Sequence, residues 1–275
     1  MSYFVTSDGV KIYYEDSVTG EHPIVLMHGG FVNHTEMLPA YDYFSAKGYR
    51  TVTFDARGHG KSDALDRGNS MDRWAKDLEE LMDYLGLNNV VLQGYSFSVQ
   101  VVLNYVKLFG CKRLSHIVLM DQSVKWISDD TWKFGIYLGT YTLEAAFEDM
   151  HNMENDMSFT YKKLCGVTAD SDIPGFVMQF PYHTAKSMMC ELARGDYRDV
   201  LPTIMVPTLV VFGEPGQLFL KGEFEYIAEH IPNSKLISFP GGHGFYYADP
   251  NGMHEAMLAF IEEPDKQLKS LWSAD

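Results

Sequence analysis

The chain has 275 residues, of which 46% are apolar and 21% charged. That composition excludes a disordered or fibrous protein and allows a core that needs no disulfide staples. Lys and Arg number 22 against 37 Asp and Glu, a net charge of −15, which sets the molecule as a whole against nucleic acid and anionic membrane surfaces. Cys111, Cys165 and Cys190 are scattered and odd in number. They read as reduced buried thiols, and no His/Cys spacing suits zinc. With no signal peptide and no apolar run of about 18 residues in view, the expectation is a soluble, cytoplasmic protein.

In chain order, Tyr3–Ser7 and Val10–Tyr14 flank the turn dipeptide Asp8-Gly9 and predict a hairpin. Pro23–Met27 is a continuous apolar run, the pattern of a strand buried on both faces of a parallel sheet. A helix is expected over Met37–Lys47, stopped by Gly48, then a strand over Arg50–Phe54 ending at Asp55. Trp74, Leu78, Leu81, Met82 and Leu85 recur at helical spacing after Ser70, with Gly86 as the stop. Asn89–Gln93 predicts a strand, Phe97–Phe109 a helix, and Ile117–Met120 a strand ending at Asp121. Further on come a strand at Thr208–Phe212, a helix at Glu223–His230, a strand at Lys235–Phe239 and a helix at Gly252–Ile261. Strands alternating with helices imply right-handed crossovers and a mostly parallel sheet. Between Gln122 and Val200 there are helical patterns but no buried strand. The expected partition is therefore a discontinuous core, 1–121 and 201–275, with 122–200 inserted as a helical cap.

Gly94-Tyr95-Ser96-Phe97-Ser98 lies at a strand-to-helix junction, where a tight turn exposes the serine beside helix N–H groups. His28-Gly29-Gly30-Phe31, Phe54-Asp55-Ala56-Arg57-Gly58-His59-Gly60 and Gly241-Gly242-His243-Gly244-Phe245 likewise follow strands. With these four motifs in this order, the sequence resembles the α/β-hydrolase superfamily over most of the chain outside the cap. The resemblance implies an α/β-hydrolase fold: a mostly parallel central sheet flanked by helices, with an inserted helical lid. It implies Ser96 as nucleophile, His243 as general base, and an oxyanion hole made by the amide of Phe97 with that of Gly30 or its neighbour Phe31. Ser98 departs from the usual second glycine. Of the other histidines, His28 and His59 are expected to brace turns, and His22, His34, His230 and His254 to lie on the surface.

The family's acid commonly follows the strand at Thr208–Phe212 as Gly-x-x-Asp, but this chain reads Gly213-Glu214-Pro215-Gly216. Asp121, at the preceding strand end, matches the position used by haloalkane dehalogenases and certain lipases and is the expected acid. Glu214 is the alternative. An acid moved from Asp121 to Gly216 is expected to reach the same imidazole.

These readings imply a serine hydrolase acting on a small apolar ester, lactone or thioester, with no metal or organic cofactor. The partner is a small-molecule substrate, not nucleic acid or membrane, and self-association is left open. A proline-iminopeptidase-like aminopeptidase is an alternative, although that family continues His-Gly-Gly with Pro-Gly where Phe31-Val32 stands here. A carbon–carbon bond hydrolase, a cofactor-free haloperoxidase and a degenerate ligand-binding fold are the others. Dehalogenation is disfavoured, because its nucleophile is Asp.

Overall fold

Eight strands in the order β1-β2-β4-β3-β5-β6-β7-β8 form one sheet among the described residues, which are 2–155 and 180–263 of this computed structural model. The strands are β1 (Ser2–Val5), β2 (Lys11–Asp16), β3 (Pro23–Met27), β4 (Arg50–Phe54), β5 (Val90–Tyr95), β6 (Leu114–Met120), β7 (Thr208–Glu214) and β8 (Ser234–Pro240). The hairpin β1–β2 joins β4 antiparallel, and every pairing from β4 to β8 is parallel. All residues of β3 and β5 are buried, as continuous apolar runs require once both faces of a sheet are covered.

Alternation along each inner strand feeds two separate cores. Val25, Met27, Leu92, Ile117, Leu119, Val210 and Phe212 point to one face, while Ile24, Leu26, Val91, Val118, Met120, Leu209 and Val211 point to the other. The first face is covered by α2 (Met71–Tyr84), α3 (Phe97–Phe109), a later helix and residues between β6 and β7; the second is covered by α1 (Leu38–Ala46) and the C-terminal helix. Ser70 caps α2 by accepting from the Arg73 N–H at 3.2 Å, and Trp74, Leu78, Leu81 and Met82 are buried at the predicted spacing. Gly110, at φ +70°, ends α3.

The segment after β4 is held by buried charge. Arg57 is paired with Asp77 at 2.8 Å and Asp8 at 2.7 Å. Asp55 accepts from the backbone N–H of His34 and Lys61, each at 2.7 Å. A Cβ on Gly60, at φ +50°, would fall 2.4 Å from the Asp55 carboxyl, so this turn needs glycine.

Between β6 and β7 lie α4 (Ile136–Gly139), α5 (Leu143–Asn155) and α6 (Tyr182–Arg194), and a Cβ on Gly58 would strike Thr184 of α6 at 2.4 Å. Met157, Cys165 and Met178 lie outside the described residues. The chain ends with α7 (Lys221–His230), α8 (Phe245–Ala248) and α9 (Pro250–Glu262).

Two histidines expected on the surface are interior. His34 is clamped by Asp55 at 2.8 Å and Glu15 at 3.3 Å, and His254 sits among the aromatic rings of Tyr43, Phe44 and Tyr246. Both occur at polar-looking positions whose burial depends on distant segments. Cys111 and Cys190 are free and half-buried. Among the described residues, no helix is long and apolar enough to cross a membrane.

Candidate active site

The carboxyl ends of β5, β6 and β8 bring three side chains to one edge of the sheet, the usual place for ligand sites in open α/β folds. Ser96 joins β5 to α3 with φ +52°, a left-handed backbone that a serine keeps only when its surroundings impose it. One constraint is Gly94, where a Cβ would meet the Ser98 carbonyl oxygen at 2.8 Å. Ser98 itself donates from its hydroxyl to the His28 carbonyl at 2.5 Å. The residue that departs from the family pattern therefore ties the elbow to the loop after β3, a role that its sequence position did not reveal.

His243 follows β8 on a short turn, Gly242–Gly244, entered through Gly241 at φ +119° and Gly242 at φ +58°. Its Nε2 lies 3.1 Å from Ser96 Oγ and its Nδ1 2.6 Å from Asp121 Oδ2. A carboxylate accepts only, so Nδ1 carries the proton and Nε2 is left as acceptor for the serine hydroxyl. Tyr95 stacks on the imidazole at 5.7 Å and donates from its hydroxyl to the His243 carbonyl at 2.5 Å, while the Phe219 ring closes another side at 5.9 Å.

Asp121 is buried and also has a positive φ, +52°. Its second oxygen, Oδ1, accepts from the Gly213 N–H at 2.9 Å, so both carboxyl oxygens are committed. A Cβ on Gly213 would lie 1.7 Å from the Gly242 carbonyl oxygen; glycine there lets the end of β7 touch the histidine turn. Glu214, the alternative acid, is exposed at the end of β7, where its backbone carbonyl accepts from the Gly241 N–H at 2.8 Å. At Gly216 a Cβ would fall 2.2 Å from the Phe219 carbonyl oxygen. Contrary to the sequence expectation, an acid cannot be moved there without rebuilding the loop.

The expected oxyanion donors lie beside the serine. Phe97 opens α3, where a first-turn N–H has no partner within the helix. Its ring packs on Trp74 at 4.9 Å and His59 at 5.7 Å. In the loop after β3, the Gly29 N–H is taken by Glu36 Oε2 at 2.6 Å, and the next two residues, Gly30 and Phe31, line the cleft. Glu36 is fully buried and its other oxygen accepts from the Tyr247 hydroxyl. Burial outweighs these hydrogen bonds and the pull of His243, and pushes its pKa up to about 7. His28 braces the same region by accepting the Ala56 N–H at 3.0 Å, while burial drives His59 down to about 3 and keeps it neutral.

A cleft of about 380 Å³, including its open mouth, adjoins Ser96 and His243. Phe31, Trp126, Ile136, Met188, Leu192 and Phe219 supply most of its apolar wall. Among the described residues, no group of three or more His, Cys, Asp or Glu side chains could hold a metal ion.

Residues 22–166 match the family model for the alpha/beta hydrolase fold. The chain belongs to that family. It is 27% identical to a bifunctional esterase/perhydrolase of Acinetobacter calcoaceticus, over 95% of this chain and 99% of the relative. A non-heme haloperoxidase of Rhodococcus erythropolis is 25% identical over 95% of this chain and the whole of its own. Among solved structures, an esterase from Exiguobacterium antarcticum superposes with a TM-score of 0.85 at 25% identity, covering 95% of this chain and 99% of that one. These relatives support a hydrolytic enzyme.

Proposed function

We propose that the protein is a serine hydrolase that cleaves small, largely apolar carboxylic esters, lactones or thioesters through Ser96, His243 and Asp121. The observation that carries this reading is the continuous hydrogen-bonded chain from Ser96 Oγ through His243 to Asp121, at 3.1 and 2.6 Å, opening on an apolar cleft. Ser96 Oγ attacks the carbonyl carbon as its proton passes to His243 Nε2. The oxyanion is held by the N–H groups of Phe97 and of Gly30 or Phe31. Collapse expels the alcohol or thiol, which takes the proton from His243. Water then attacks the acyl-serine through the same imidazole, releasing the acid and restoring Ser96. Asp121 remains a carboxylate throughout and holds the Nδ1 proton in place.

Turnover of p-nitrophenyl esters by Ser96→Ala and His243→Ala tests the reading. Each variant should lose activity severely and to nearly the same extent, because members of one proton-relay unit do not act additively. Near-wild-type activity in either variant would contradict it.

A second outcome at the same acyl-serine is favoured by the named relatives, an esterase/perhydrolase and a haloperoxidase. Hydrogen peroxide in place of water would release a peracid and free serine, with atoms balanced as in hydrolysis. Peracid formation from an ester and peroxide, absent in Ser96→Ala, is the measurement that distinguishes it.

We also propose the division into a core, 1–121 and 201–275, and a cap, 122–200. Its support is that α4, α5 and α6 all fall between β6 and β7, and that Ile136 and Met188 from this interval line the cleft.

A further inference from the structure

Apart from Ser96 and His243, the cleft wall carries one polar side chain among the described residues, that of Gln122. Gln122 follows Asp121 at the end of β6 and is 3% exposed. Its Oε1 accepts from the Ser123 backbone N–H at 2.8 Å and from the Trp126 indole Nε1 at 2.6 Å. Both partners are donors only, so the amide oxygen must occupy that branch and the NH₂ group the other. Among the described residues Nε2 has no acceptor, yet it is not sealed away from solvent. For a side chain this buried that lines the cleft, the open space beside Nε2 is the cleft itself. The wall therefore holds one oriented donor in an otherwise apolar surface, the usual design for fixing a ligand's position.

Resting on the serine-hydrolase reading above, we propose that Gln122 determines specificity by donating from Nε2 to a second oxygen of the substrate. The substrate class is then a small ester or lactone that carries an ether, carbonyl or hydroxyl oxygen in addition to the scissile carboxyl group. An all-carbon chain in the same place would strip solvent from the NH₂ group and give it no acceptor. A site built to hydrogen-bond discriminates against such an analogue by about tenfold or more.

The test compares isosteric pairs. On the acyl side these are p-nitrophenyl methoxyacetate against butanoate, and p-nitrophenyl 3-methoxypropanoate against pentanoate. On the alcohol side the pair is methoxyethyl acetate against butyl acetate. After correction for reactivity toward hydroxide, kcat/KM of the wild type should favour the ether member of at least one pair by about tenfold. Gln122→Glu, assayed in alkaline buffer where the new carboxyl is ionised, keeps an acceptor for Ser123 and Trp126 but loses the donor. The ratio should fall to about 1 or below. Gln122→Met, which removes both functions, should also erase it. No ether preference in any wild-type pair, or a preference that survives in both variants, overturns the assignment. If neither variant folds, the wild-type pairs decide. Labelling of Ser96 by a fluorophosphonate separates the two levels. Labelling without an ether preference sinks the Gln122 assignment alone, whereas a folded protein that is not labelled sinks the hydrolase reading and this one with it.

Discussion

At Asp121 the backbone is as specialised as the carboxyl. A positive φ turns the side chain off the end of β6, where one oxygen takes the Gly213 N–H and the other the His243 Nδ1–H. Asp121→Asn keeps the shape but offers the imidazole an NH₂ group or an uncharged oxygen, which favours the wrong tautomer. Turnover should fall by roughly 10²–10⁴ with little change in folding, and Glu214→Gln should leave it almost unchanged, as steady-state kinetics on one ester would check. Adding Gly216→Asp to Asp121→Asn should restore nothing, since even a Cβ there falls 2.2 Å from the Phe219 carbonyl oxygen. A rescued double variant would show that the loop after β7 yields more easily than its packing implies. Gln122, next in sequence, is the residue that pattern reading passed over. Nothing local distinguishes it from a linker glutamine until Trp126 and Ser123 fix its amide.

Among the elements, the inner strands were legible because both faces are covered, and continuous apolar runs such as Pro23–Met27 have few other uses. Helix α3 was legible end to end from its apolar content and Gly110. Less visible were features that exist only when two loops meet. The Gly213 contact with Gly242 is one, and the Ser98 clasp on His28 is another. Burial of His34 and His254 belongs with them, because the residues that cover each come from distant parts of the chain. The contact between β7 and the histidine turn gives an element-scale prediction. Gly213→Ala places a methyl group 1.7 Å from the Gly242 carbonyl oxygen, so the turn that carries His243 must move. Thermal unfolding should show a loss of about 1–3 kcal/mol, and kcat should fall far more than that loss of stability alone would cause. Met188 of α6 lies against Gly30 and lines the cleft. Met188→Ala should shift acyl preference toward longer chains, as a kcat/KM series over chain length would read.

Across the whole molecule, the buried Glu36 links folding to pH. A carboxyl near 4.5 in the unfolded chain and about 7 in the folded one binds its proton more tightly when folded. Its share of stability is thus fully present below pH 4.5 and is lost as pH rises through 7, a change of about 3 kcal/mol. In Glu36→Gln, which can still accept from Gly29 and receive Tyr247 as a partner, that slope should vanish from denaturant midpoints measured across this range. An unchanged slope would place the titration elsewhere. The same glutamate supports the loop that carries Gly30 and Phe31, the proposed oxyanion donors, and Tyr247 connects it to the helix just after His243. Sheet, loop and histidine turn therefore form one continuous support for Ser96, His243 and Asp121. The most direct test of that arrangement is the intact mass of the folded protein after exposure to a fluorophosphonate, followed by mapping of the modified peptide. A single adduct on Ser96, lost in Ser96→Ala and strongly slowed in His243→Ala, is the predicted result. An unmodified folded protein, or an adduct on any other residue, would contradict the assignment of Ser96 as an activated nucleophile.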